Sequence, residues 1–192
     1  MTQITPQEGI SHVIGDHTNS LLDITLPEFM SIAVNKFESR EAAVFSQFED
    51  RFSYRELFEK CDEFSAGLLT LGLYKGDRIG IWSPNRPEWL ITQFATARLG
   101  LILVNINPAY KKSELEYCIR KVGLKSLIFA TQFKTSSYKD IVRELIPELV
   151  KQRKEALKLV GLPSLKSLIQ ISSQPINGVF SFREIQEKGR SS

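Results

Sequence analysis

Two histidines, two cysteines, eleven glycines and a scatter of lysines are the residues of this chain best suited to act on a ligand. His12 and His17 stand close enough to share a metal, but Asp16 is the one carboxylate between them and no cysteine is near. Their surroundings are polar, and the expectation for residues 1–20 is a loose leader. With both histidines there, no Ser-His-Asp or Cys-His arrangement can be assembled over a folded core. Cys61 and Cys118 fall on the apolar faces of predicted helices, as small reduced buried thiols do. A disulfide or a reactive thiol is the competing reading, and nothing else suggests an oxidising compartment. The glycines form neither G-x-G-x-x-G after a strand nor G-x-x-x-x-G-K-[ST]. Lys75 and Lys111 could each touch an anion, although a solvated surface position is the default for lysine. No catalytic, cofactor-binding or metal-ligating residue is therefore assigned.

The elements that would have to position such groups are well marked. The chain has 192 residues, 42% hydrophobic and 24% charged, enough for one well-buried domain. A formal charge of +3, spread along the chain with no basic stripe, gives no footprint for nucleic acid. Its first Lys or Arg is Lys36, its longest aliphatic run is Leu101 to Val104, and it ends Arg190-Ser191-Ser192. These features predict no secretory or transit peptide, no membrane span and no peroxisomal tail, and so a cytoplasmic protein.

From Thr25 onward one unit repeats. Thr25-Leu26-Pro27-Glu28 and Ser53-Tyr54-Arg55-Glu56 are capping boxes, each opening an amphipathic helix. Asn85 with Glu88, and Ser113 with Glu116, predict two more helix starts. Gly72, Gly100 and Gly123 sit where three of these helices should end. Between the helices lie strand-like runs: AAVFSQF (42–48), DRIGIW (77–82), LILVNI (101–106), KSLIFA (125–130) and SLIQIS (167–172). LILVNI reads as a strand covered on both faces. Gly80, inside a strand, predicts close packing. A helix over 137–149 should bend near Pro147, and the tail after Ile185 is expected to be loose. Alternating strands and helices with short connections predict an α/β fold with a mostly parallel, doubly wound sheet flanked by helices.

The stretch WSPNRPEW (82–89) leaves a strand at the edge where ligands of such sheets lie. Its residues read more simply as a bend, with Asn85 capping and Pro84 and Pro87 stiffening the turn.

Several ordered elements together resemble the amino-terminal portion of adenylate-forming acyl-CoA synthetases, nearest their fatty-acid group. They are Phe52-Ser53-Tyr54-Arg55-Glu56-Leu57, Gly76-Asp77-Arg78-Ile79, Asn85-Arg86-Pro87-Glu88-Trp89, Gly100 to Tyr110 ending in NPAY, and TQFKT at 131–135. The resemblance runs from about Ser11 to the end. It implies the amino-terminal part of an AMP-binding domain over 21–192. The complete enzyme would be a ligase taking fatty acid, ATP and CoA, with Mg2+, to acyl-CoA, AMP and pyrophosphate through an acyl-adenylate. Such enzymes hold ATP on a T-S-G-T-T-G-x-P-K-G type loop, bind magnesium with a Thr-Glu pair and carry a catalytic lysine on a mobile domain. None of these occurs here, so none of ATP, Mg2+ and CoA is expected to be held by this segment alone. Two functions stay open: an amino-terminal ligase segment inactive by itself, or a non-catalytic decoy or interaction module for a full-length synthetase. A flavodoxin-like binding domain is a weaker third.

Overall fold

The computed structural model describes residues 21–191. The leader assigned to 1–20, with His12 and His17, lies outside the described residues. Helix α1 (Leu26–Phe37) and helix α2 (Tyr54–Thr70) start on the two capping boxes. At each, the hydroxyl accepts from the N3 amide, while Glu28 or Glu56 accepts from the cap amide, at 2.6 and 2.8 Å. Between these helices the chain makes a hairpin, β1 (Glu41–Phe45) antiparallel to β2 (Asp50–Ser53). The strand expected over 42–48 stops at Phe45 because residues 46–49 turn, and Glu49 takes φ 56°.

The remaining elements alternate. They are β3 (Arg78–Trp82), α3 (Pro87–Leu99), β4 (Ile102–Ile106), α4 (Lys112–Val122), β5 (Ser126–Phe129), a small hairpin of β6 (Gln132–Phe133) and β7 (Ser136–Ser137), α5 (Tyr138–Leu145), β8 (Ser167–Gln170), β9 (Phe180–Ser181) and α6 (Phe182–Arg190). Strands β4-β3-β5-β8-β9 form one sheet in that order, every pairing parallel. Ile79, Ile81, Ile128 and Ile169 point to one face, beneath α1, α2, α3 and α6. Trp82, Leu127, Phe129 and Leu168 point to the other, beneath α4 and α5. Alternation along parallel strands thus feeds two cores, which is the doubly wound α/β architecture expected. Gly80 sits centrally, and a Cβ there would come within 2.6 Å of Leu124 and 2.9 Å of Ile106. Gly100 and Gly123 cap α3 and α4 in the left-handed conformation.

Four expectations are corrected. Helix α3 starts after Arg86, with no side-chain cap, because the guanidinium of Arg86 engages Glu88 at 2.7 Å and Asn85 stays exposed. Helix α4 starts two residues earlier than the Ser113–Glu116 pair suggests, since Glu114 accepts from the Lys111 amide at 3.0 Å. Strand β4 is not covered on both faces: it is an edge strand, and Ile102 is 50% exposed. The tail after Ile185 is not loose. It completes α6, which lies directly against α2, with Phe182 stacked on Phe64 at 4.0 Å. Glycine makes this possible: a Cβ on Gly67 would fall 1.9 Å from the Ile185 carbonyl oxygen, and one on Gly189 1.8 Å from that of Glu63. Arg190 then clamps Glu63 through two nitrogens at 2.6 and 3.0 Å.

The bend expected near Pro147 is present as a break, α5 giving way at Ile146 to a 3-10 turn over Pro147–Lys151.

Candidate functional site

In an open parallel sheet the ligand crevice lies past the carboxyl ends of the strands, where the winding reverses. Here β3 connects outward to β4, while β5 connects the other way to β8, so the reversal falls between β3 and β5. Two aromatic rings hold that point together. Trp82, the last residue of β3, stacks on Tyr138, the first of α5, with centroids 3.5 Å apart and planes 8° from parallel. The Tyr138 hydroxyl donates to the Pro108 carbonyl at 2.6 Å, tying the loop after β4 to the same pair. Burial pushes the Tyr138 hydroxyl well above the ordinary phenol range, so it remains a donor. The exits of β3 and β4 are thereby tied to the start of α5 by side chains of the sequence itself.

The corner WSPNRPEW is polar but internally engaged. Ser83 Oγ donates to the Pro84 carbonyl at 2.8 Å, and the Arg86 guanidinium bonds Glu88 while lying 5.1 Å from the Phe48 ring. None of these side chains pairs a nucleophile with a base. Neither cysteine supplies a nucleophile: burial, then the Asp62 carboxylate, pushes Cys61 up to about 12, and burial also raises Cys118. Both are free thiols. Lys75 is exposed, its stem lying beside Gly100, and Lys111 reaches the Ser136 hydroxyl. Among the described residues no group of three His, Cys, Asp or Glu side chains could hold a metal ion.

Two clefts flank the exit of β8, with Ser172 and Ser173 between them. The first, ≈ 360 Å³, lies on the α2–α3–α6 side, with Lys60, Arg86 and Arg183 above Phe52, Ile91 and Phe182. Its arginines are already engaged, Arg86 with Glu88 and Arg183 with Glu187 at 2.8 Å. The second, ≈ 500 Å³, lies on the α5 side and is lined by Thr131, Lys139, Arg143, Gln170, Ser172 and Ser173 among others. A larger cleft of ≈ 600 Å³ opens at the opposite end of the sheet around Phe180, where Lys154 and Glu184 neutralise one another at 2.8 Å. It is far from the strand exits where ligands of such sheets sit.

Sequence reasoning singled out Asn85, which is exposed and reaches neither cleft beside β8, and passed over Gln170, Lys139 and Arg143, which line one. The signal was a glutamine between the isoleucines of SLIQIS: a polar side chain in a covered strand needs partners.

A family model described as AMP-binding enzyme matches residues 31–181. The chain is 40% identical over 188 residues to the mouse medium-chain acyl-CoA ligase ACSF2, mitochondrial, covering 98% of this chain and 30% of that protein. The human protein of the same name is 38% identical over 185 residues, with 96% and 30% covered. The chain thus spans about a third of the length of these relatives. A crystal structure of the anthranilate CoA ligase AuaEII with anthranoyl-AMP superposes with a TM-score of 0.71 at 19% identity, covering 85% of this chain and 28% of that one. That superposition establishes the fold: a parallel sheet wound on both faces, as found in the amino-terminal portion of CoA ligases. With the family model matching residues 31–181, most of this chain, and with this similarity to its relatives, the chain belongs to the AMP-binding enzyme family.

Proposed function

We propose that this chain is the amino-terminal segment, residues 21–192, of a fatty-acid–CoA ligase, and that it has no ligase activity by itself. The observation that carries the reading is the similarity to medium-chain acyl-CoA ligases along nearly the whole chain. In the structure, what supports the reading is the parallel doubly wound sheet whose strand exits are tied together by Trp82, Tyr138 and Pro108. In the complete enzyme ATP and a fatty acid would give an acyl-adenylate and pyrophosphate, and CoA would displace AMP. Magnesium, ATP and CoA would be held largely by groups outside this segment. The part played by these residues is to fix the strand exits that form one wall of the crevice. The stacked Trp82–Tyr138 pair and the Tyr138–Pro108 hydrogen bond hold that wall.

The test has two arms. Purified chain alone should show no fatty-acid-dependent ATP–pyrophosphate exchange; exchange above background would overturn the claim of inactivity. A chimera carrying this chain in place of the matching part of the mouse relative should form acyl-CoA from a medium-chain acid. A folded chimera that adenylates no acid would overturn the ligase reading. The alternative, a non-catalytic partner of a full-length synthetase, draws on the same lack of reactive groups. It is decided by the reading frame beyond Ser192: a phosphate-loop sequence there favours the ligase segment, and a stop codon favours the partner.

A further inference from the structure

We infer that the end of the sheet opposite the strand exits is a docking face for an anionic lipid surface. Strands β3, β5 and β8 lie side by side and all begin at this end. The residue at or just before each start is basic: Arg78, Lys125 and Lys166. Backbone bonds hold the three in register. The Lys125 amide donates to the Arg78 carbonyl and the Lys166 amide to the Lys125 carbonyl, both at 2.8 Å. Neighbouring strands are about 4.8 Å apart, so these cations stand in one row within roughly 10 Å. Helix α4 ends beside the row, with Lys121 in its last turn, and a Cβ on its cap Gly123 would lie 3.5 Å from the Arg78 guanidinium. The loop carrying Lys158 reaches the same end of α4, where a Cβ on Gly161 would lie 3.8 Å from the Arg120 guanidinium.

The charge of this face is not cancelled from within. Lys121, Lys125, Lys158 and Lys166 form no ion pair among the described residues. Nearby carboxylates are engaged elsewhere: Asp77 accepts from the Tyr74 amide at 3.1 Å, Glu116 pairs with Arg120 at 2.7 Å and Glu184 with Lys154 at 2.8 Å. Glu155 stands exposed on the rim of the adjoining cleft. A lysine near a helix C-terminus complements the helix dipole, which accounts for Lys121 but not for Lys125 and Lys166 at strand entries. Apolar tips rise from the loops on either side of the row. Val160 is 95% exposed on a loop anchored by Leu159 and Leu162 in the core beneath α4 and α5. Tyr74 is 69% exposed next to Leu73, which is anchored in the core beneath α2. Ammonium groups between an aromatic and an aliphatic tip suit a bilayer surface, which attracts the charges and takes the tips in among its headgroups. An acidic protein would use the charges alone. Docking here turns the strand exits away from the bilayer, so the inference is independent of the ligase reading.

The experiment is flotation of the 192-residue chain with vesicles of phosphatidylcholine containing about 30% phosphatidylserine, against vesicles of phosphatidylcholine alone. The expected result is saturable binding to the anionic vesicles only, lost as salt rises from about 0.02 M to about 0.5 M. Lys121→Gln/Lys125→Gln/Lys166→Gln should weaken binding about a hundredfold, roughly fivefold for each lysine. Lys111→Gln/Lys134→Gln/Lys139→Gln removes the same charge near the strand exits and should leave binding within about threefold. Tyr74→Ser/Val160→Ser leaves the charge unchanged and should weaken binding about tenfold. Variants are compared at matched melting temperature, so that loss of fold is not scored as loss of binding. No binding at low salt, equal binding to uncharged vesicles, or equal losses in the two lysine variants would overturn the docking face. Unchanged binding by Tyr74→Ser/Val160→Ser would overturn the lipid surface and leave an acidic protein as the partner.

Discussion

The two edges of the main sheet are finished differently. At one edge β9 is only two residues long, and α6 follows it at once, pressed onto α2 through Gly67 and Gly189. At the other, β4 is five residues long, apolar, unpaired along its outer side and half open to solvent. A short strand shielded by a helix cannot recruit a partner, whereas a long apolar one presents a row of free N–H and C=O groups. The two edge strands thus end in opposite circumstances. The closed edge is stabilised by contacts inside the chain. The open edge has the composition of a covered strand without the cover, which is what an amino-terminal segment of a longer enzyme would show.

The largest expected effect lies at the closed edge. Gly67→Ala should cost about 3 kcal/mol in urea unfolding, because the new methyl meets a backbone carbonyl that cannot rotate away. Gly189→Ala should act similarly, and the double variant should fall short of the sum, since both methyls force the same two helices apart. A loss under about 0.5 kcal/mol, the range of ordinary surface changes, would mean that α6 is not held against α2 as described. Next comes the wall between the edges. Tyr138→Phe removes only the hydroxyl that donates to Pro108 and should cost about 1 kcal/mol, leaving the ring stack intact. A neutral result would show that the loop after β4 needs no tether.

The contrast also explains what could be read from the residues alone. Helices α1 and α2 were legible to the residue because a capping box is a local device, complete within four positions. The starts of α3 and α4 were misplaced by a residue or more because Arg86 and Lys111 compete for the same local roles, and composition does not say which geometry wins. LILVNI shows the deeper reason. Branched apolar residues reveal that a strand is meant to be covered, but not whether the covering polypeptide is present. The close contact of α6 with α2 was invisible too, because it depends on Gly67 and Gly189, 122 positions apart in sequence. Of the candidate site, the strand exits were legible and the donors converging on one cleft were not, since Gln170, Lys139 and Ser172 meet only after the sheet is ordered.

Smaller effects sharpen the comparison through pH. Bonds from the cap amides and hydroxyls of Thr25 and Ser53 lower the carboxyls of Glu28 and Glu56 below 4.5. A carboxyl whose folded value is depressed contributes stability above its unfolded value, and that contribution disappears as pH falls through the folded value. Stability should therefore decline below about pH 4.5, and Glu56→Gln should flatten part of that decline in a series of urea melts. Full retention of the slope would remove the box at α2 from the account.

The smallest effect on stability belongs to the open edge, where it is also the most informative. Ile102→Lys adds a charge on an edge strand at a half-exposed position, away from both cores. Its effect on unfolding should lie within about 0.5 kcal/mol, as for surface changes generally. Its effect on association should be plain: wild-type chain should form concentration-dependent oligomers in sedimentation, and the variant should stay monomeric, because a lysine on an edge blocks strand addition. In the chimera with the downstream part of the mouse relative the same substitution should act in the opposite sense and impair assembly, since the edge would then have an intramolecular cover. A variant harmless in both settings would show that β4 is simply an exposed edge, and the contrast between the two edges would lose its meaning.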